Sequence, residues 1–173
     1  SSNSANKPKS LNRLKTTSSS SSSSKSSKFA RDAVTTSISN CQSISAPGNY
    51  ILVNNVSSSA NCFTLGSDNI VLDCNKFSII GVQPLGTDAT GIYGANRQNI
   101  SIENCVVSNF INGIKVDSTT NSRFLNNTII NNNYGLRLFS SSNNLIESNK
   151  ALNNLIYGFF LQVSSNNNTI TSN

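Results

Sequence analysis

The side chains able to do chemistry fall into two sets. Asp73 in VLDCN, Glu103 in SIENC and Glu147 in LIESN are carboxylates, each placed just after an apolar residue. Tyr93, Lys115, Arg137 and Phe160 each stand two residues after a glycine. Two carboxyl groups about 5–9 Å apart are the equipment of glycoside hydrolysis. A Tyr-Lys-Arg-Phe row would instead stack sugar rings and pair with their carboxylates. Each set has a plainer reading, as ordinary carboxylates on a solvated sheet or as long side chains covering its outer face. The sequence has no histidine and no Cys-x-x-Cys, which argues against a zinc site. No calcium-loop motif occurs. No cofactor is expected, and calcium is unsupported by any motif.

A repeat must position these groups. Gly91, Gly113, Gly135 and Gly158 are spaced 22, 22 and 23 residues apart and precede Ile92, Ile114, Leu136 and Phe159. Val116, Leu138 and Leu161 continue the same face with period two, Gly94 being the exception. Ile102, Phe124 and Ile146 follow eleven residues after the glycines, and Val107, Ile129 and Ala151 sixteen after. The last unit matches best at Ile170, one residue late. Three apolar stretches too short to bury themselves therefore recur in each unit of about 22 residues. Stacked as parallel strands at about 4.8 Å, such units satisfy backbone and core together. The pattern predicts a single-stranded parallel β-helix over 35–173, with the four glycines at equivalent corner turns.

In that arrangement Asp73, Glu103 and Glu147 point outward in one column, Glu103 and Glu147 two coils apart with Leu125 between. The separation would suit an inverting pair. Lys115 and Arg137 become vertical neighbours, and two adjacent like charges favour an anionic partner. Two columns of polar side chains, Cys105-Asn127-Asn149 and Asn109-Asn131-Asn153, are expected to build the corners. Stacked amides can pass hydrogen bonds along the axis, and asparagine tolerates the left-handed backbone of a tight turn. The one clear insertion is Val82–Gly91, whose sole ionisable group is Asp88. Long loops on a rigid coil are where such scaffolds place function, yet one carboxylate gives this loop little catalytic equipment.

The net charge of +6 belongs to the first 34 residues. Lys7, Lys9, Arg13, Lys15, Lys25, Lys28 and Arg31 face Asp32 alone there, whereas the remainder carries six basic and six acidic side chains. The folded part has no net attraction for phosphate, so nucleic acid is not an expected partner. The tail, with TTSSSSSSSKSSK, has too few apolar residues to order itself and reads as a linker. KFARDAV could add one helical turn. No apolar run reaches the length of a membrane span.

Four cysteines suit two disulfides in an oxidising compartment. Cys41 and Cys62, 21 residues apart, would face each other on successive coils. Cys74 and Cys105 form the other pair if Val82–Gly91 is an insertion, although the alignment sets Asn75 opposite Cys105. A secreted or cell-surface location, periplasmic in a bacterium, is the corresponding expectation.

The stretch GIKVDSTTNSRFLNNTIINNNYGLRL resembles the repeats of right-handed parallel β-helix proteins, the pectate-lyase-like superfamily, and among them the Asn-rich NosD-like branch. NYILVNNVSSSANCFTLGSDNIVLDCNKFSIIG, Asn49 to Gly81, is similar to the opening coils of secreted members. The resemblance covers about residues 38 to 173 and implies a right-handed coil. It leaves function open, because such coils carry lyases, hydrolases, epimerases and adhesins alike. Polygalacturonase-like members use clustered aspartates with a histidine, which this chain lacks. Lyase-type members use acidic calcium ligands with a lysine or arginine base.

Two functions remain. The first is a binding or structural scaffold for a carbohydrate or a surface partner, without catalysis of its own. The second is a polysaccharide-acting lyase, glycoside hydrolase or epimerase. The final unit starts at Gly158 and stops at Asn173 without its third strand, so the coils are expected to continue beyond it.

Overall fold

In the computed structural model, residues 34–173 are described. The readings of a linker over 1–34 and a helical turn in KFARDAV thus lie outside the described residues, Val34 excepted. The chain winds through β1 (Thr35–Ile38), β2 (Gln42–Ile44), β3 (Gly48–Leu52), β4 (Val56–Ser58), β5 (Phe63–Leu65) and β6 (Ile70–Asp73). It continues through β7 (Ser78–Gly81), β8 (Thr90–Ala95), β9 (Ser101–Glu103), β10 (Val106–Ser108), β11 (Asn112–Asp117) and β12 (Arg123–Leu125). The last elements are β13 (Thr128–Ile130), β14 (Tyr134–Phe139), β15 (Leu145–Glu147), β16 (Lys150–Leu152), β17 (Tyr157–Gln162) and β18 (Thr169–Thr171). The described residues contain no helix.

Three parallel sheets result. Sheet A orders seven strands as β1-β3-β6-β9-β12-β15-β18, sheet C five as β16-β13-β10-β7-β4, and sheet B six as β17-β14-β11-β8-β5-β2. Each full coil visits A, then C, then B, the repeat read from the glycines. The register agrees residue by residue. Ile92, Ile114, Leu136 and Phe159 stack in sheet B, and Ile102, Phe124, Ile146 and Ile170 in sheet A. Ile92, Ile102, Ile114, Phe124, Leu136 and Ile146 are fully buried. Burying such a side chain contributes about 1.5–3 kcal/mol, and repeating it on every rung is what holds short strands in place.

The glycines are equivalent, but they are not turns. Gly91, Gly113, Gly135 and Gly158 are each the second residue of a sheet B strand, and none has a left-handed backbone. Close approach is what selects them. A Cβ on Gly113 would lie 2.5 Å from Ile129 Cγ2 and 2.8 Å from the Gly135 carbonyl oxygen. On Gly91 it would press on Val107 and come within 2.6 Å of the Gly113 carbonyl oxygen.

The corners divide two tasks between adjacent residues. Asn104, Asn126 and Ser148 have positive φ, as do Asn109, Asn131 and Asn153 at the next corner. The residue after each points inward. Asn127 Oδ1 accepts the Cys105 N–H at 3.0 Å, while its Nδ2 donates to the Ile102 carbonyl and to Asn149 Oδ1 at 2.9 Å. Asn149 repeats this with Phe124 and Asn173. The ladder over Cys105-Asn127-Asn149 is therefore present. The second expected ladder is displaced by one residue: Asn132 and Asn154 form it, and Asn109, Asn131 and Asn153 make the exposed turn before it. Asn144 and Asn168 build a third ladder between sheets B and A. Buried corner N–H groups are thereby paired, which avoids roughly 1–3 kcal/mol each.

Both disulfides form, Cys41–Cys62 with Cα atoms 4.4 Å apart and Cys74–Cys105 with 4.7 Å. Asp73 pairs with Glu103 in register, so Cys74 and Cys105 are offset by one residue and still bridge. The insertion lies between β7 and β8 and ends at Ala89, Thr90 and Gly91 already belonging to β8.

Candidate functional site

The two sets of candidate side chains fall on different sheets. In sheet A, Asp73 pairs with Glu103, Glu103 with Leu125 and Leu125 with Glu147, giving the expected outward column. Its upper end is occupied with corner work. Asp73 Oδ1 accepts the Asn75 N–H at 2.8 Å and Asn104 Nδ2 at 3.0 Å. Ser101 Oγ donates to Glu103 Oε1 at 3.2 Å.

Sheet B brings the other set together. Tyr93, Lys115, Arg137 and Phe160 oppose one another on successive rungs of β8, β11, β14 and β17. Beside them run Thr90, Asn112, Tyr134 and Tyr157 on one flank and Ala95, Asp117, Phe139 and Gln162 on the other. Rung spacing of about 4.8 Å makes each of these a neighbour of the next.

At one end of the column, charge is balanced. The insertion returns Asp88 to the sheet, where its Oδ2 lies 2.6 Å from Lys115 Nζ and its Oδ1 accepts Asn112 Nδ2 at 2.8 Å. Partial burial pushes the Asp88 carboxyl up. Hydrogen bonds from Lys115 and Asn112, with the charges of Lys115 and Arg137, outweigh it and hold the carboxyl below its ordinary 3.8. Lys115 Nζ also sits 5.6 Å from the centre of the Tyr93 ring. Tyr93 donates its hydroxyl to Asp117 Oδ2 at 3.1 Å. Burial, then the Asp117 charge and this hydrogen bond, raise its pKa above 10.0.

At the other end the surface is aromatic. Tyr157 and Phe160 stack with ring centres 4.5 Å apart and planes 20° apart, and Tyr134 stacks on Phe160 at 5.6 Å and 17°. Arg137 lies over Tyr134, its Cζ 5.3 Å from the ring centre, and donates from Nη2 to Gln162 Oε1 at 3.3 Å. Tyr157 is 49% exposed, so the cluster is open to a ligand. A groove of about 560 Å³ runs alongside, under the insertion, lined among others by Gln83, Leu85, Phe110, Asn131 and Asn133. Its lining carries no charge.

Sequence reasoning passed over Asp88 as too little equipment and did not single out Asp117, Tyr134 or Tyr157. The tyrosines had a signal, since Tyr-Gly returns at 134–135 and 157–158 in phase with the repeat. Among the described residues no three His, Cys, Asp or Glu side chains gather to hold a metal ion.

With the coil and its outer faces defined, comparison with known families is specific for architecture. The family described as "Right handed beta helix region" matches residues 29–173. The chain belongs to that family of right-handed parallel β-helix proteins. No curated protein and no solved structure matches it. No helix among the described residues is long and apolar enough to cross a membrane.

Proposed function

We propose that the outer face of sheet B binds carbohydrate, and that the protein acts as a secreted or cell-surface β-helix scaffold without catalysis of its own. The observation that carries this reading is the stack of exposed Tyr157 on half-buried Phe160 and Tyr134, beside Arg137. Flat, partly apolar rings suit the C–H face of a pyranose, and Arg137 offers a planar fork to a carboxylate or a pair of hydroxyls. The amide side chains of the adjoining groove supply donors and acceptors for neutral hydroxyls. Lys115 already has its counter-charge in Asp88, so Arg137 is the cation left to a ligand on this column. Glycan-array binding by the folded chain, lost in Tyr157→Ala and Phe160→Ala, tests the reading. A folded chain that binds no glycan would refute it.

A further inference from the structure

The pattern Asn-x-Ser/Thr occurs at Asn55, Asn99, Asn126 and Asn167, with Ser57, Ser101, Thr128 and Thr169 completing each site. This is the acceptor pattern for N-linked glycosylation. In a chain so rich in asparagine and serine the pattern arises readily by chance, so its placement is what carries weight. All four asparagines are exposed. The fully buried ones, Asn112, Asn127, Asn132, Asn144 and Asn149, never start the pattern. Asn126 and Asn127 are adjacent, and the acceptor is the outward one.

The four also share one side of the coil. Asn55 and Asn126 lie at the corner from sheet A to sheet C, between β3 and β4 and between β12 and β13. Asn99 and Asn167 lie at the opposite corner, just before β9 and β18. They border sheet A on both edges. Neither the turns that join sheet C to sheet B nor any strand of sheet B contains one. The two disulfides are a separate feature that suits an oxidising environment, the kind in which this modification is made.

We infer that Asn55, Asn99, Asn126 and Asn167 carry N-linked glycans that flank sheet A and leave sheet B as the bare face. The donor is an oligosaccharide on a lipid pyrophosphate, supplied with its transferase by the secretory compartment. The amide nitrogen attacks the sugar C1, the C1–O bond to pyrophosphate breaks, and the lipid pyrophosphate leaves with that electron pair. The nitrogen gives up one proton and keeps the other. The remaining N–H can still serve the corner bonds that Asn99 and Asn126 donate to Asn69 Oδ1 and Asn104 Oδ1, each at 2.7 Å. Glycans here would stand over both edges of the Asp73-Glu103-Glu147 column, whereas the aromatic cluster would stay open.

The test is peptide mapping of the chain purified from the cells that produce it. A glycan-removing amidase in heavy-oxygen water converts each glycosylated asparagine to a labelled aspartate, and an enzyme-free control reports spontaneous deamidation. The expected result is label at the four named positions and at no buried asparagine. Label on only one edge of sheet A, or on none of the four sites, would overturn the inference. Glycan binding by sheet B would be untouched by that outcome, so the two readings fail separately.

Discussion

Asp88 and Lys115 are joined by an ion pair of 2.6 Å although one stands in the insertion and the other in the regular coil. The pair answers why two cations, Lys115 and Arg137, can be stacked on adjacent rungs. Without Asp88 that contact would be repulsive. Because Asp88 titrates below 3.8 in the folded chain, the pair contributes fully at neutral pH. The contribution is lost as pH falls through the depressed folded value. Carboxyl-carbon NMR titration should place Asp88 below 3.8, and Lys115→Ala should move it upward. An unchanged midpoint in that variant would remove the pair as the cause.

The two kinds of asparagine should respond differently to mutation. Asn127→Ala strips the partner from the buried Cys105 N–H and breaks the bond to Asn149. A loss of about 1–3 kcal/mol in denaturant unfolding is expected for such an orphaned group. Asn131 is exposed and left-handed. Asn131→Gly should be tolerated, since glycine adopts that backbone at no steric cost, while Asn127→Gly should not. Equal losses for the two glycine variants would contradict the division of labour.

The fold was legible because a 22-residue period repeats every interior decision, so one strand assignment fixes the rest. The corners were legible only to within a residue. Asn131 and Asn132 are identical in sequence but opposite in role, and composition cannot tell the turn from the ladder. The glycines misread as turns for a related reason: what forbids a side chain at Gly113 is Ile129 and Gly135, contacts visible only in three dimensions. Asp88 was noted as the one ionisable group of the insertion but could not be placed beside Lys115, because the insertion breaks the period that sets the register of the coils. Tyr134 and Tyr157 were within reach, had the column one residue before each glycine been followed.

Close approach at the glycines gives a direct stability test. Gly113→Ala places a methyl group against the Ile129 side chain and the Gly135 backbone. Overpacking of this kind costs about 1–3 kcal/mol. The companion Ile129→Leu, which removes the Cγ2 branch that the new methyl group would strike, should recover part of it if the two side chains compete for the same space. A neutral Gly113→Ala would mean that the coil yields more freely than its packing implies.

Each disulfide ties neighbouring coils at the N-terminal half of the solenoid. Cys74→Ala with Cys105→Ala should lower unfolding stability by about 2–4 kcal/mol. Mass spectrometry of unreduced peptides should recover Cys41 with Cys62 and Cys74 with Cys105. Any crossed pair would be incompatible with the strand register.

The most direct test of the central claim is a glycan-array measurement on three folded chains, paired with an assay for released sugar ends. The account predicts binding by the wild type and by Glu103→Gln, loss of binding in Phe160→Ala, and no release of ends by any of them. It is contradicted if the wild type cleaves a polysaccharide and Glu103→Gln abolishes the cleavage, which would move function from sheet B to the carboxylates of sheet A.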